Sequence, residues 1–333
     1  QPEKRSSMEN FSTDPITYPI SVEYEQFEKT FPTLLSSTNR AVDVLLSGLT
    51  TTKGKFIRPI LVFLTSKSLT PKIPRSVYHL ASAVELLHQG SLLHDDVIDE
   101  SERRRGEPSA NKLFGNKKAI LLGDLIVSRS LLEIVLSQSL DCVNSISRLI
   151  ETLAEGEIVQ LDTLNDDVLS EELYFDIISK KTASLFSLSA RLSAKLSGAS
   201  QADVDSFAQF GHIVGLCFQI RDDIFDYYDS PVTGKPAGND LKEGKFTLPS
   251  IYAINNSSRD WSRHINDIRA LTATPEQIKE VTEFTFFNGG ITYAEKKMKE
   301  FENKAMSLLP ASISDEFRDT FRAYFDIIVN RQR

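Results

Sequence analysis

The chain has 333 residues, with 38 Lys+Arg against 46 Asp+Glu and a formal net charge of −8. Charged residues make up 25% and hydrophobic residues 41%, which excludes a disordered or low-complexity chain and leaves apolar side chains for a sizeable core. The negative balance argues against nucleic acid as a partner, because a duplex is gripped mainly through Lys and Arg on phosphates.

Residues 1–20 are polar, carry Pro2, Pro15 and Pro19 and lack an apolar signal-peptide core; they read as a flexible leader. From residue 21 to 333 the pattern is helical almost throughout, so one all-α domain, a large helical bundle with a central cavity, is expected. In the stretch that begins near Arg75, Val77, Leu80, Ala81, Val84 and Leu87 recur at spacings of three and four. The longest apolar run, Ala119 to Val127, is interrupted by Gly123 and Asp124 and is far shorter than the roughly 20 residues of a membrane span. Phe207, Phe210, Val214 and Phe218 mark another helix face. Breaks fall at Thr50–Gly54, Thr70–Pro74, Arg104–Ala110, Gly198–Gln201, Ser230–Gly244 and Ser257–Asp260, and most are short enough to join antiparallel neighbours. The two cysteines, Cys142 and Cys217, build no disulfide framework, which fits a reducing, cytoplasmic setting.

The strongest chemical signal is Asp95-Asp96-Val97-Ile98-Asp99 at the end of the helix from about Arg75. At i,i+3 and i,i+4 these carboxylates share one helix face and resist joint ionisation. A hard divalent cation relieves that repulsion, and Mg²⁺ takes oxygen ligands while keeping sites for water and phosphate. The spacing returns at Asp222-Asp223-Ile224-Phe225-Asp226. One such triad alone reads equally as a solvated helix end; two with apolar approaches point to a shared site. Cations flank both: Lys55 and Arg58 in G-K-F-I-R-P, the run Arg103-Arg104-Arg105, and Lys235, Lys242 and Lys245. They suit phosphate recognition by side chains. Neither a P-loop nor a G-x-G-x-x-G is present. Glu85-Leu86-Leu87-His88 is a single E-x-x-H, whereas a di-iron bundle needs two.

Taken together these motifs resemble the trans-isoprenyl diphosphate synthase, or polyprenyl synthetase, family. The resemblance runs from about Lys53 to Tyr293. It rests on G-K-x-x-R-P at 54–59, E-L-L-H-x-x-S-L-L-H-D-D-V-I-D at 85–99, R-R-G at 104–106 and G-E-x-x-Q at 156–160. It continues through K-T-A-S-L-F at 181–186, F-Q-I-R-D-D-I-F-D at 218–226, G-K-P-A-G-N-D-L-K-E-G-K-F-T-L-P at 234–249 and Gly289-Gly290. The resemblance implies an all-α homodimer that condenses isopentenyl diphosphate onto an allylic diphosphate, with transient membrane contact for product release. Several Mg²⁺ ions would be held by Asp95, Asp96, Asp99, Asp222 and Asp226, with Asp223 beside them. Arg104, Lys181, Lys235 and Lys245 would grip the allylic diphosphate, and Lys55, Arg58, His88 and Arg105 the isopentenyl diphosphate. Thr182 and Gln219 would line the reacting centre. A terpenoid cyclase would carry a different second motif, and a non-catalytic partner subunit tends to lose an Asp triad.

The growing tail is expected to run down the first Asp-rich helix. Gly90 lies five residues before Asp95, roughly 7 Å below it at about 1.5 Å per residue, and Ser91 four before. An aromatic there would floor the tunnel, whereas Gly90 leaves it open; Leu87, Leu86 and Ala83 are the next candidates for a floor. The reading is a long-chain product of the octaprenyl class, with a shorter geranylgeranyl or farnesyl product as the alternative, and close helix packing as the alternative account of Gly90.

Overall fold

Amphipathic periodicity and well-placed caps build a succession of helices. The structure, a computed structural model, describes residues 14–49, 54–104, 107–162, 168–229 and 237–329. The helices are α1 (Ser21–Thr30), α2 (Arg40–Leu49), α3 (Ile57–Leu69), α4 (Arg75–Ile98), α5 (Asn116–Leu136), α6 (Leu140–Asp162) and α7 (Glu171–Ile178). They continue with α8 (Ser184–Leu196), α9 (Gln201–Phe225), α10 (Leu248–Asn255), α11 (Ser262–Arg269), α12 (Pro275–Phe287), α13 (Gly290–Leu308) and α14 (Asp315–Val329). Among the described residues the only strands are Arg103–Arg104 and Glu107–Pro108, paired antiparallel. The expected all-α class is what the chain adopts.

Starts and stops follow local chemistry. The Ser170 hydroxyl accepts from the Leu173 N–H to cap α7, and Ser200 accepts from Asp203 to cap α9. Thr274 and Gln277 form a reciprocal capping box at α12, with Pro275 in its first turn. Helix α3 is buried continuously from Arg58 to Ser66; a helix apolar all round belongs in the centre of a bundle. It packs on α4 and α8, while α4 lies along α5 and α8 along α9.

Two features bear on the site. Phe56, which precedes α3, has φ +47°, an uncommon left-handed backbone for an aromatic residue. Its ring is held edge-on by Phe27 and Phe31, with centroids at 5.2 and 5.5 Å. The Tyr324 hydroxyl of α14 donates to the Ile57 carbonyl at 2.8 Å. The first and last helices thus fix where α3 begins, and with it Arg58. The second feature corrects an expectation. Residues 14–20 are not loose: Asp14–Thr17 is helical, Tyr18–Ile20 forms a 3₁₀ turn, and Ile16 and Ile20 are fully buried. Two isoleucines four apart anchor this segment inside an otherwise polar stretch. Among the described residues, no helix is long and apolar enough to cross a membrane.

Candidate active site

Helices α4 and α9 each end in an Asp triad, and both ends open on one cavity of about 360 Å³. From α4 the lining is His88, Ser91, Leu92, Asp95 and Asp99, a single face at spacings of three and four. From α9 it is Phe218, Gln219, Asp222 and Asp223. The placement of α9 comes from two glycines. A Cβ on Gly211 would stand 2.5 Å from the Phe186 carbonyl oxygen, and one on Gly215 2.5 Å from the Ala183 Cα. Only glycine lets α9 lie this close to its neighbour, and Gln219 and Asp223 continue the same four-residue row. The neighbour is itself irregular: Ser179–Ala183 widens into a π-helical turn before α8. Such turns recur at functional sites, and this one carries Lys181 and Thr182.

The carboxylates of each triad have different partners. The Arg104 guanidinium donates Nε and Nη2 to the two oxygens of Asp96, each at 2.8 Å, and Asp96 is 2% exposed. This fork leaves Asp96 no free edge toward the cavity. Lys245 bridges Asp99 and Glu243, both at 2.8 Å. Burial pulls the Lys245 ammonium down, but Glu243 and Asp99 outweigh it and hold the group firmly protonated. Lys181 pairs with Glu157 at 2.5 Å and also donates to Gln160. Burial pushes Asp95 up to about 6; Glu157 and Asp99 push the same way, against Lys181 and Arg104. Arg58 is buried, with its guanidinium 4.4 Å from the Phe186 ring centre and 5.6 Å from that of Phe218.

Asp223 is buried without a cation. The Tyr174 hydroxyl donates to its Oδ2 at 2.5 Å, and Gln219 Nε2 donates to its Oδ1 at 2.8 Å. Gln219 Oε1 then accepts from the Thr182 hydroxyl at 2.8 Å. Burial raises Asp223, while the bonds from Tyr174 and Gln219 draw it back. Asp226 leaves the lining; its Oδ2 accepts the Asp240 backbone N–H at 2.9 Å. Leu173, Ile177, Ile178 and Phe218 make an apolar part of the wall.

Of the residues expected at the site, the cavity brings together Asp95, Asp99, Asp222, Asp223, Arg58, His88, Arg104, Lys181, Thr182, Gln219, Lys245 and Ser91. Asp96 and Asp226 are not in the lining, whereas Asp95, Asp99 and Asp222 are. Lys55 is exposed outside the cavity, and Arg105 and Lys235 lie outside the described residues. At Gly90 the structure meets the alternative account, close helix packing. A Cβ there would meet Val127 Cγ2 at 2.7 Å and the Gly123 carbonyl at 3.2 Å, so Gly90 lets α4 approach α5 rather than opening the cavity. Ala83, Leu86 and Leu87 are core residues, at most 2% exposed, and none lines the cavity. Sequence reasoning missed Tyr174, Asp240 and Arg269, which also line it. Tyr174 and Arg269 sit in no motif quoted above, and Asp240 lies within the 234–249 motif, where no role was given to it.

Oxygen ligands, cations and an apolar wall in one cavity suit a phosphorylated ligand with a hydrocarbon part. Among the described residues no group of three or more acidic, His or Cys side chains could hold a metal ion unaided. A hard cation that retains waters and completes its shell with substrate phosphates fits Asp95, Asp99 and Asp222.

The family model for the polyprenyl synthetases matches residues 40–285, well over half the chain. The chain belongs to this family. It is, accordingly, a trans-prenyltransferase. The octaprenyl diphosphate synthase of Haemophilus influenzae is 33% identical over 279 residues, covering 84% of this chain and 84% of that one. A chloroplastic solanesyl-diphosphate synthase from Oryza sativa is 34% identical over 273 residues, covering 80% and 67%. Among solved structures, a polyprenyl synthase from Caulobacter crescentus, complexed with calcium and isoprenyl diphosphate, superposes with a TM-score of 0.89 at 28% identity, covering 97% and 98%. A geranylgeranyl pyrophosphate synthase from Bacteroides thetaiotaomicron gives 0.83 at 36% identity, covering 96% and 99%. The polyprenyl synthetase fold therefore extends over nearly the whole chain.

Proposed function

We propose that the protein elongates an allylic diphosphate with isopentenyl diphosphate to a long-chain all-trans polyprenyl diphosphate. The observation that carries this reading is the convergence of carboxylates from both Asp triads, five Lys and Arg side chains and apolar residues on one cavity. Asp95, Asp99 and Asp222 would hold Mg²⁺, which when bound supplies charge neutralisation to the departing diphosphate. Lys181, Arg104 and Lys245 bind the oxygens of the allylic diphosphate, with Lys235 expected to join them. Arg58 and His88 bind isopentenyl diphosphate, with Lys55 and Arg105 the further candidates. The allylic C–O bond breaks and its electron pair leaves with the diphosphate. The isopentenyl double bond attacks the resulting cation, and the proton lost from the new chain passes to diphosphate. Phe218 and the α7 side chains exclude water from the cation, and preorganised cations lower the barrier to ionisation.

Support for a long product comes from relatives named as octaprenyl and solanesyl synthases; it no longer comes from Gly90. The geranylgeranyl synthase of Bacteroides thetaiotaomicron keeps a shorter product as the second reading. The test is to size the chains made from farnesyl diphosphate and labelled isopentenyl diphosphate with and without Mg²⁺. Mg²⁺-dependent chains beyond geranylgeranyl length are expected. Chains that stop there would leave the shorter reading, and no elongation from any primer would sink the proposal.

A homodimer is part of this reading. Leu121, Leu132, Val135 and Leu136 of α5 and Leu140 and Ile158 of α6 are exposed, Leu140 by 83%, and an apolar surface of this kind calls for a partner. Light scattering is expected to give twice the chain mass. A cytoplasmic site of action and brief membrane contact during product release are further proposals, checked by fractionation and vesicle flotation.

A further inference from the structure

Helix α7 has eight residues, too few to hold itself in water, yet its Leu173, Ile177 and Ile178 line the cavity. Four contacts from α10, α11 and α13 moor its first turns and the two residues before its cap. The Arg269 guanidinium, at the end of α11, donates to the Val168 carbonyl at 3.1 Å. The Asn255 amide, at the end of α10, donates to the Leu169 carbonyl at 2.9 Å. From α13 the Tyr293 hydroxyl lies 2.8 and 3.0 Å from the two Glu171 carboxylate oxygens, and Phe301 meets Phe175 edge-on.

The moored residues form an edge of the cavity that solvent reaches. Val168 lines the cavity while 71% exposed, and Leu169 beside it lines the cavity while 5% exposed. Arg269 lines it too and is buried, its guanidinium 5.8 Å from the ring centre of Phe246, another lining residue. Displacing this rim would cost the two carbonyls their donors.

We propose that Arg269 and Asn255 are positioning residues that fix the Val168–Leu169 rim and so keep water from the allylic cation. This rests on the prenyl-transfer reading given above. With the rim displaced, the allylic C–O bond still breaks and its electron pair still leaves with diphosphate. A water oxygen then attacks the cation in place of the isopentenyl double bond, loses a proton to diphosphate, and a prenyl alcohol forms. Elongation and this diversion share the ionisation step, so their ratio reports the access of water and not the rate of ionisation.

The test supplies the full chain with farnesyl diphosphate, isopentenyl diphosphate and Mg²⁺ in water enriched in heavy oxygen, and compares labelled farnesol with elongated chains. Capture of the cation puts the label in the alcohol, whereas attack at phosphorus puts it in phosphate. Arg269→Met and Asn255→Ala should each raise labelled alcohol relative to chains by about 3–10-fold, the factor carried by one hydrogen bond of ordinary net strength, with KM for both substrates kept. Arg269→Lys keeps a donor for the Val168 carbonyl and should return the ratio toward that of the wild type. Asn255 is exposed and outside the lining, so its substitution removes the bond without opening the core. Thr274→Ala removes the α12 capping box and should lower the melting temperature at the wild-type ratio. An unchanged ratio in Arg269→Met or Asn255→Ala, with or without a rise in KM, or an equal rise in Thr274→Ala, would overturn the proposal. A wild type that forms neither chains nor labelled alcohol sinks prenyl transfer itself, whereas a wild type that elongates and variants with its ratio sink only the role of the rim.

Discussion

Helices α4 and α9 end in the same five-residue spelling, D-D-x-x-D, yet their carboxylates live differently. In both, the first Asp (Asp95, Asp222) lines the cavity and the second (Asp96, Asp223) is buried. Asp96 is neutralised by the Arg104 fork, whereas Asp223 has only the neutral donors Tyr174 and Gln219. The third Asp diverges too. Asp99 stays in the lining, tied to Lys245, while Asp226 accepts the Asp240 N–H and leaves it. Helical spacing dictates which positions share a face. It does not dictate what meets them, and the surroundings decide whether a carboxylate faces the cavity, anchors a cation or is held by neutral donors.

The comparison is broken most severely by removing a cavity-facing charge. Asp95→Asn and Asp222→Asn should each lower kcat by about 10³-fold, on the order of 4 kcal/mol of transition-state stabilisation, with the melting temperature kept. An activity within tenfold of wild type would take either residue out of the metal-facing set. The buried pair sharpens the contrast in stability. Asp96→Asn leaves Arg104 with a neutral partner and should cost about 1–3 kcal/mol, the penalty for stranding a charged hydrogen-bonding group, moderated by solvent at Arg104. Asp223→Asn replaces a buried, cation-free carboxylate by a neutral isostere and should leave stability nearly unchanged while kcat falls. Chemical denaturation of both variants checks this; equal destabilisation would erase the distinction.

The reach of the sequence follows the same line. The triads, the helix end at Ile98, the G-E-x-x-Q residues around Lys181 and the all-α class were legible because each depends on local spacing. Within the expected leader, residues 14–20 are ordered by Ile16 and Ile20, which sit among polar residues and prolines and whose burial depends on distant helices, while residues 1–13 lie outside the described residues. Gly90 was read by its rise along α4 alone; five residues before Asp95 is also about 140° around the helix, off the face that lines the cavity. Tyr174 was invisible because its role arises only when α7 crosses α9, 49 residues apart in sequence. Gly211 and Gly215 carried a usable signal, a small residue every fourth position on the α9 face that continues through Gln219 and Asp223.

Gly90 and Ser91 are adjacent residues on different sides of α4, and they should respond differently. Gly90→Ala forces a Cβ against Val127 and the Gly123 backbone and should destabilise by about 1–3 kcal/mol, the usual cost of overpacking, with product length unchanged. Ser91→Phe places a ring on the cavity side and should shorten the product with little loss of stability. Product sizing and thermal melts on the pair decide it: a shortened product from Gly90→Ala would return that glycine to the tunnel.

The smallest expected effect is a pH dependence of metal binding, and it tests whether the first Asp of the α4 triad is tuned by burial. Asp95 is raised from the ordinary carboxylate range to about 6. A carboxyl whose folded value lies above its unfolded one binds extra protons in the folded state. It therefore favours folding most below its unfolded pKa, and that contribution is lost as pH rises through about 6. A metal ligand must be ionised, so Mg²⁺ competes with this proton and its apparent affinity should fall as pH drops through about 6, by at most tenfold per pH unit. The measurement is the rise in melting temperature on adding Mg²⁺ with inorganic pyrophosphate. It should be nearly constant between pH 7 and 8, shrink between pH 6.5 and 5, and in Asp95→Asn be small and flat throughout. A wild-type response that stays flat to pH 5 would mean that the Asp95 carboxyl is not raised by burial, and the asymmetry between ligand and anchor in the α4 triad would then rest on the Arg104 fork alone.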